Sequence, residues 1–177
     1  MPDALIVIDM QRGAFVDASP KHDVAGLIDR LNRLAAALRS AGGTVVFVQH
    51  DGPTGDPFHP SLPSWRIMEE LDVRPEDPIV RKKSCDAFLD TALEALLRSR
   101  SIDRLLITGW ATDYCVDSTV RSALARYPTI VPSDGHTTSD RAHLPALKII
   151  QHHNAIWADF IAPKGPAVVQ PCASLRF

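Results

Sequence analysis

Two hydrophobic patterns alternate along the chain. Residues 4–8 (ALIVI) form a short, unbroken apolar run that stops at Asp9, as in a strand buried on both faces of a parallel sheet. Residues 24–40 instead place Leu27, Ile28, Leu31, Leu34, Ala35 and Leu38 three and four apart, with Gly42-Gly43 beyond them. That spacing predicts an amphipathic helix with a glycine stop. Residues 44–48 (TVVFV) return to β-branched strand character. The alternation resumes with a short strand at 79–80, a helix at 88–99, a strand at 104–108 and a helix at 117–126. A strand at 128–131, a helix at 141–152 and a last strand at 155–158 complete it. Strands separated by helices join through right-handed crossovers, which predicts an α/β three-layer αβα sandwich around a parallel sheet.

Residues 51–78 obey neither period. Six prolines and two glycines interrupt them, and a loop of that length in a compact domain is usually a lid or a binding element. The stretch 163–177 reads as a C-terminal tail, either an arm or loose chain. With 177 residues, 45% of them hydrophobic and 23% charged, the chain is expected to form one domain spanning 1–177. A net charge of −2 gives no basic surplus, so nucleic acid is not an expected partner. No apolar run approaches transmembrane length, and Met1-Pro2-Asp3 lacks the basic start of a secretion signal. The expectation is a cytoplasmic protein with no membrane contact. Cys85, Cys115 and Cys172, odd in number and widely spaced, suit neither a disulfide framework nor a zinc knuckle and read as free thiols.

In open parallel sheets, ligands bind beyond the carboxyl ends of the strands. Asp9, His50, Lys82 and residues 109–115 all lie there. Cys115 follows the strand RLLIT through Gly-Trp-Ala-Thr-Asp-Tyr and should sit where the next helix begins. Free backbone N–H groups and the helix dipole would favour its thiolate there and could also hold an oxyanion. Taken alone, such a cysteine is more often inert core. Asp9, at the mouth of an apolar sheet, could accept the thiol proton, although a carboxylate in this position also caps turns. Lys82 could stabilise both by charge, but a lysine at a strand end is more commonly solvated. Three weak signals thus converge on one sheet edge.

The motifs Ala4-Leu-Ile-Val-Ile-Asp9-Met-Gln11, Lys82 with Ala87-Phe88 and Thr91-x-Leu93, Thr108-Gly-x-Ala-Thr112-x-x-Cys115-Val116-x-x-Thr119 and Asp134-x-His136-Thr137 resemble the isochorismatase-like cysteine hydrolases. The resemblance runs in order over nearly the whole chain. It implies a six-stranded parallel sheet between helices and an Asp9–Lys82–Cys115 triad. It further implies a cis peptide between Trp110 and Ala111 that directs the Ala111 and Cys115 amides into an oxyanion hole. Lys83 is the second candidate for the lysine, and the six-residue step to Phe88 favours Lys82. A homodimer or larger homo-oligomer is also implied.

Departures from the family narrow the reading. The metal-binding nicotinamidase branch carries Asp-x-His after the second strand, whereas this chain has Gln49-His50-Asp51-Gly52. His50, Asp51 and His59 do not match that spacing, so no metal and no other cofactor is expected. True isochorismatases cleave a vinyl ether without a cysteine, so Cys115 favours hydrolysis of a small-molecule amide, imide or lactam. The alternatives are vinyl-ether hydrolysis and a non-catalytic binding or redox-sensing member of the fold. Substrate contacts are expected from Gln11 in the first motif, from His50 and Trp65 bordering the loop, and from Phe15, Trp110 and Tyr114 by proximity. His152-His153-Asn154 reads as a helix end with its cap.

Overall fold

The computed structural model describes residues 3–16 and 19–177. Strand β1 (Asp3–Ile8) pairs in parallel with β2 (Thr44–His50) on one side and β4 (Arg104–Trp110) on the other. Strand β3 (Ile79–Lys82) edges β2, and β5 (Thr129–Pro132) edges β4. The path closes with β7 (Val168–Gln170) on β5, giving the order β3-β2-β1-β4-β5-β7. A short seventh strand, β6 (His136–Thr137), pairs with the end of β4, Gly109 beside His136. Every named pairing is parallel.

Alternate residues of β1 supply the two cores. Leu5 and Val7 face helix α1 (Val24–Ser40), whose Leu27, Leu31, Leu34 and Leu38 are buried against the same side. Removing a leucine side chain from water is worth roughly 1.5–3 kcal/mol, so this seam anchors the helix. Ala4, Ile6 and Ile8 face the opposite layer, built from α2 (Leu93–Ser99), α3 (Asp117–Leu124) and α4 (Ala146–Ala158). The result is the αβα sandwich the alternation predicts. Gly42, at φ 81°, ends α1, and the Gly43 amide returns to the Leu38 carbonyl.

Five local expectations are corrected. The helix expected over 88–99 begins only at Leu93. Before it, Phe88 N–H donates to the Asp86 carboxylate, Thr91 Oγ1 donates to the Ala87 carbonyl, and Asp90 adopts φ 54°. These short polar side chains supply turns that compete with helix. The helix expected over 141–152 starts after Pro145 and runs on through Ala158, so the strand expected over 155–158 is helical. Ile149, Ile150 and Trp157 share the buried face of α4, and a four-residue apolar run cannot by itself distinguish helix from strand. His152, His153 and Asn154 therefore lie within the helix and do not end it. Lastly, the stretch 163–177 is no loose tail, since it carries β7 and the buried Leu175.

Candidate active site

Asp9, Lys82 and the turn bearing Cys115 meet at the carboxyl ends of β1, β3 and β4. Asp9 leaves β1 at φ 49° while its N–H still donates to the Val48 carbonyl. Gly109 sits opposite Ile8 at φ 115°, and a Cβ there would lie 2.2 Å from the Ile8 carbonyl oxygen. Only glycine lets β1 and β4 stay this close as they approach the site. The peptide between Trp110 and Ala111 is cis. A wide turn over Thr112–Val116 then carries Cys115 into the sheet edge ahead of α3. Thr119 of α3 accepts the Ala87 N–H, which ties the stretch after Lys82 to the helix following Cys115.

Lys82 Nζ lies 2.7 Å from Asp9 Oδ2, 3.2 Å from Cys115 Sγ and 3.0 Å from the Ser84 carbonyl oxygen. Asp9 is 1% exposed, Lys82 2% and Cys115 8%, so the trio is largely withdrawn from bulk water. The ammonium approaches Asp9 off hydrogen-bond alignment, leaving both carboxylate oxygens without a well-aligned donor among the described residues. Such a carboxylate is suited to accept a proton.

Burial raises the Asp9 carboxyl pKa above its ordinary value, against the opposing pull of Lys82. Burial alone would lower Lys82, but Asp9 and Cys115 more than offset it and hold the ammonium above its usual range. The expectation of a thiolate at a helix start is corrected: burial, then Asp9, push the Cys115 thiol well up. Cys115 therefore rests protonated. With Lys82 cationic, moving one proton from Sγ to Asp9 leaves the buried trio neutral overall. The transfer consequently avoids creating an uncompensated charge in a low-dielectric site.

The expected substrate contacts separate into groups. Gln11 is fully buried and acts as a brace: Nε2 donates to the His50 and Trp65 carbonyls while Oε1 accepts the His50 N–H. Gln49 Nε2 adds a second bond to the Trp65 carbonyl, so the two glutamines pin the loop to the sheet edge. Trp65 donates from Nε1 to Asp51 and lies under the Arg81 guanidinium. Phe15, Trp110 and His50 join one aromatic row through Phe58, which stacks 5.9 Å from Trp110 and meets His50 edge-on at 5.8 Å. Phe58 escaped the sequence reading; an aromatic between prolines in the irregular loop was its only signal. His50 Nδ1 and Trp110 Nε1 are buried with no partner among the described residues. Tyr114 is 54% exposed and stacks with Arg141, away from that row.

A recess of about 1070 Å³ lies between the loop and the end of β3, with Asp51, His59, Arg81, Lys82 and Lys83 in its wall. Neither Asp9 nor Cys115 lines it; Lys82, which does, lies 3.2 Å from Cys115 Sγ and so places the recess next to the thiol. Lys83, the second candidate lysine, faces this recess and is exposed, while Lys82 reaches Asp9 and Cys115. Among the described residues no group of three or more His, Cys, Asp or Glu side chains is arranged to hold a metal ion.

The Isochorismatase domain matches residues 3–159. The chain belongs to that family. A crystal structure of an isochorismatase family protein superposes with a TM-score of 0.85 at 34% identity, covering 94% of this chain and 96% of that one. An isochorismatase from Pseudomonas putida aligns at 0.87 and 26% identity, covering 98% and 89%. Among curated relatives, streptothricin hydrolase of Streptomyces noursei is 35% identical over 81% of this chain and 52% of its own length. Ureidoacrylate amidohydrolase of Variovorax paradoxus is 32% identical over 68% of this chain and 62% of its own. The isochorismatase family chain described here thus spans between half and two-thirds of each of these two relatives. Among its described residues no helix is long and apolar enough to cross a membrane.

Proposed function

We propose that this family member is a cysteine hydrolase that opens the C–N bond of a small amide, imide or lactam. The observation that carries the reading is Lys82 Nζ, buried within 2.7 Å of Asp9 and 3.2 Å of Cys115 Sγ. Cys115 is the nucleophile, Asp9 the proton acceptor and donor, and Lys82 the fixed cation. Asp9 takes the thiol proton as Sγ attacks the carbonyl carbon, and the displaced electron pair becomes an oxyanion. The amides of Ala111 and Cys115 are proposed to hold that oxyanion. Collapse breaks the C–N bond, and the leaving nitrogen takes the proton from Asp9. Water, deprotonated by Asp9, then attacks the thioester, releasing the acid and returning the proton to Sγ.

The aromatic row of Phe15, Trp110, Phe58 and His50 is proposed to flank the substrate, with His50 Nδ1 and Trp110 Nε1 as unused polar atoms available to it. Streptothricin and ureidoacrylate, the compounds that name two relatives, are the first substrates to try. No cofactor enters the scheme, the expected compartment is the cytoplasm, and a homodimer or larger homo-oligomer is proposed.

The test is a library of small amides, imides and lactams screened by mass spectrometry for hydrolysis, by addition of water or release of an amine or ammonia, with parent and Cys115→Ala proteins. Turnover by the parent that is lost in Cys115→Ala, with the fold intact by circular dichroism, is the expected result. Equal rates in both would overturn the scheme, and isochorismate cleavage that survives in Cys115→Ala would favour vinyl-ether chemistry.

A further inference from the structure

The turn carrying Cys115 is gripped at both ends by one helix. At its start, Thr112 Oγ1 lies 2.9 Å from His136 Nδ1, and His136 Nε2 lies 3.1 Å from Asn154 Oδ1 on α4. Just past its end, Trp157 Nε1 on the same helix donates to Asp117 Oδ1 at 2.8 Å. Thr112 and Trp157 are fully buried, and His136 is nearly so. The His136 ring packs edge-on against Trp157 with centroids 5.1 Å apart.

The hydrogen bonds fix the direction of every proton. Asn154 Nδ2 donates to the Ser133 carbonyl at 2.9 Å, so Oδ1 is the atom facing His136 and can only accept. His136 Nε2 must therefore carry the ring proton. A neutral imidazole then has Nδ1 free as an acceptor, and the Thr112 hydroxyl donates to it. Burial disfavours the imidazolium and lowers the His136 pKa to about 4. The Asn154 hydrogen bond opposes that lowering; of the titratable groups nearby, His153 on α4 pushes the same way as burial and Asp134 in the preceding turn opposes it. Neutral His136 is thus the form present at working pH.

We propose that His136 is a positioning residue for the hydrolysis: its Nδ1 locks Thr112, and through Thr112 sets the turn that presents the Ala111 and Cys115 amides and the thiol. This rests on the proposed Cys115 chemistry. The reach is short, since Thr112 follows Ala111 directly and lies three residues before Cys115. A chain from the Ser133 carbonyl through Asn154 and His136 to Thr112 aligns the oxyanion donors before substrate arrives.

Two substitutions separate this role from simple packing. In His136→Asn, Oδ1 falls near the old Nδ1 and can still accept from Thr112. In His136→Gln, the amide reaches toward Asn154 and leaves the Thr112 hydroxyl unpartnered. On a substrate the parent hydrolyses, His136→Gln is expected to lower kcat roughly ten- to a hundredfold, with KM changed by less than about threefold. His136→Asn should recover most of the lost rate. Thr112→Val, which keeps the shape and deletes the hydroxyl, should reproduce the Gln defect if either histidine variant folds poorly. Urea melts of each variant show whether rate merely follows stability. If the Gln and Asn variants lose activity equally, or in proportion to their stability, the inference is overturned.

A substrate-free readout separates this inference from the proposed reaction. Should the parent hydrolyse no amide, the cysteine-hydrolase reading fails, and the rate of iodoacetamide labelling of Cys115, followed by peptide mass spectrometry, still reports on the turn. A shift in that rate in His136→Gln and Thr112→Val, restored in His136→Asn, supports the positioning role. One common rate in all proteins overturns it.

Discussion

Lys82 keeps a full charge at the end of an edge strand with its side chain out of solvent, beside an Asp9 side chain that is 1% exposed. Each ion is tolerable there only because the other is present. Replacing one member leaves an unpaired buried charge, so Lys82→Met is expected to destabilise the fold by about 3–5 kcal/mol in urea denaturation. The double variant Asp9→Asn/Lys82→Met should recover much of that loss while remaining inactive. A Lys82→Met variant as stable as the parent would mean that Asp9 is already neutral in the resting protein. Cys115 obeys the same electrostatics from the other side, since burial, then Asp9, push its thiol pKa up, and only in the proposed scheme does Asp9 take that proton.

Among the elements, the short β6 and the middle of α4 matter beyond packing, because His136 and Asn154 meet between them. His136 has a folded pKa of about 4 against an ordinary 6.5. The unfolded chain therefore binds a proton below about pH 6.5 that the folded chain refuses until about pH 4. Stability from this group is fully present above pH 6.5 and falls as pH drops, by up to about 3 kcal/mol at pH 4. Urea melts of parent and His136→Asn at pH 7 and pH 4.5 check it: the parent should lose more stability than the variant. Asp9, with a raised pKa, contributes a slope of opposite sign, but it is common to both proteins and cancels in the difference.

Across the whole molecule, the sheet is completed by residues that follow the helices. Strand β7 covers β5 through pairs from Ile130 with Val168 to Pro132 with Gln170, and Ala167 and Leu175 are buried. Ending the chain before Pro163 would expose a paired strand as a free edge and remove both apolar side chains from the cores. The truncated protein is expected to aggregate or to lose a large part of its unfolding free energy. Expression and thermal melting of a chain ending at residue 162 give the answer, and a parent-like melting temperature would make the stretch dispensable. The oligomeric state bears on the opposite side of the sheet, because β3 remains an edge strand with Ile79 half exposed. Sedimentation of the full chain tests the proposed homo-oligomer.

Much of this protein is legible in one dimension because its determinants are local. The five-residue run ending at Asp9 and the leucine spacing of 24–40 need only period and burial to be read, and they correspond to β1 and α1. The alternation dictates a parallel sheet, and that dictates where chemistry can sit, so Asp9, Lys82 and Cys115 stood out as weak candidates at one sheet edge, and the family resemblance joined them into a triad. Other features depended on partners far away in sequence. Residues 155–158 are apolar enough for either element and became helix because Trp157 has a pocket beside His136. Residues 168–170 pair because β5 has an open side to receive them. Gln11 looked like a substrate contact from its place beside Asp9, and only the folded loop made it a brace. The protonation of Cys115 was likewise decided in three dimensions: a helix start favours thiolate locally, but desolvation and a carboxylate from another strand outweigh it.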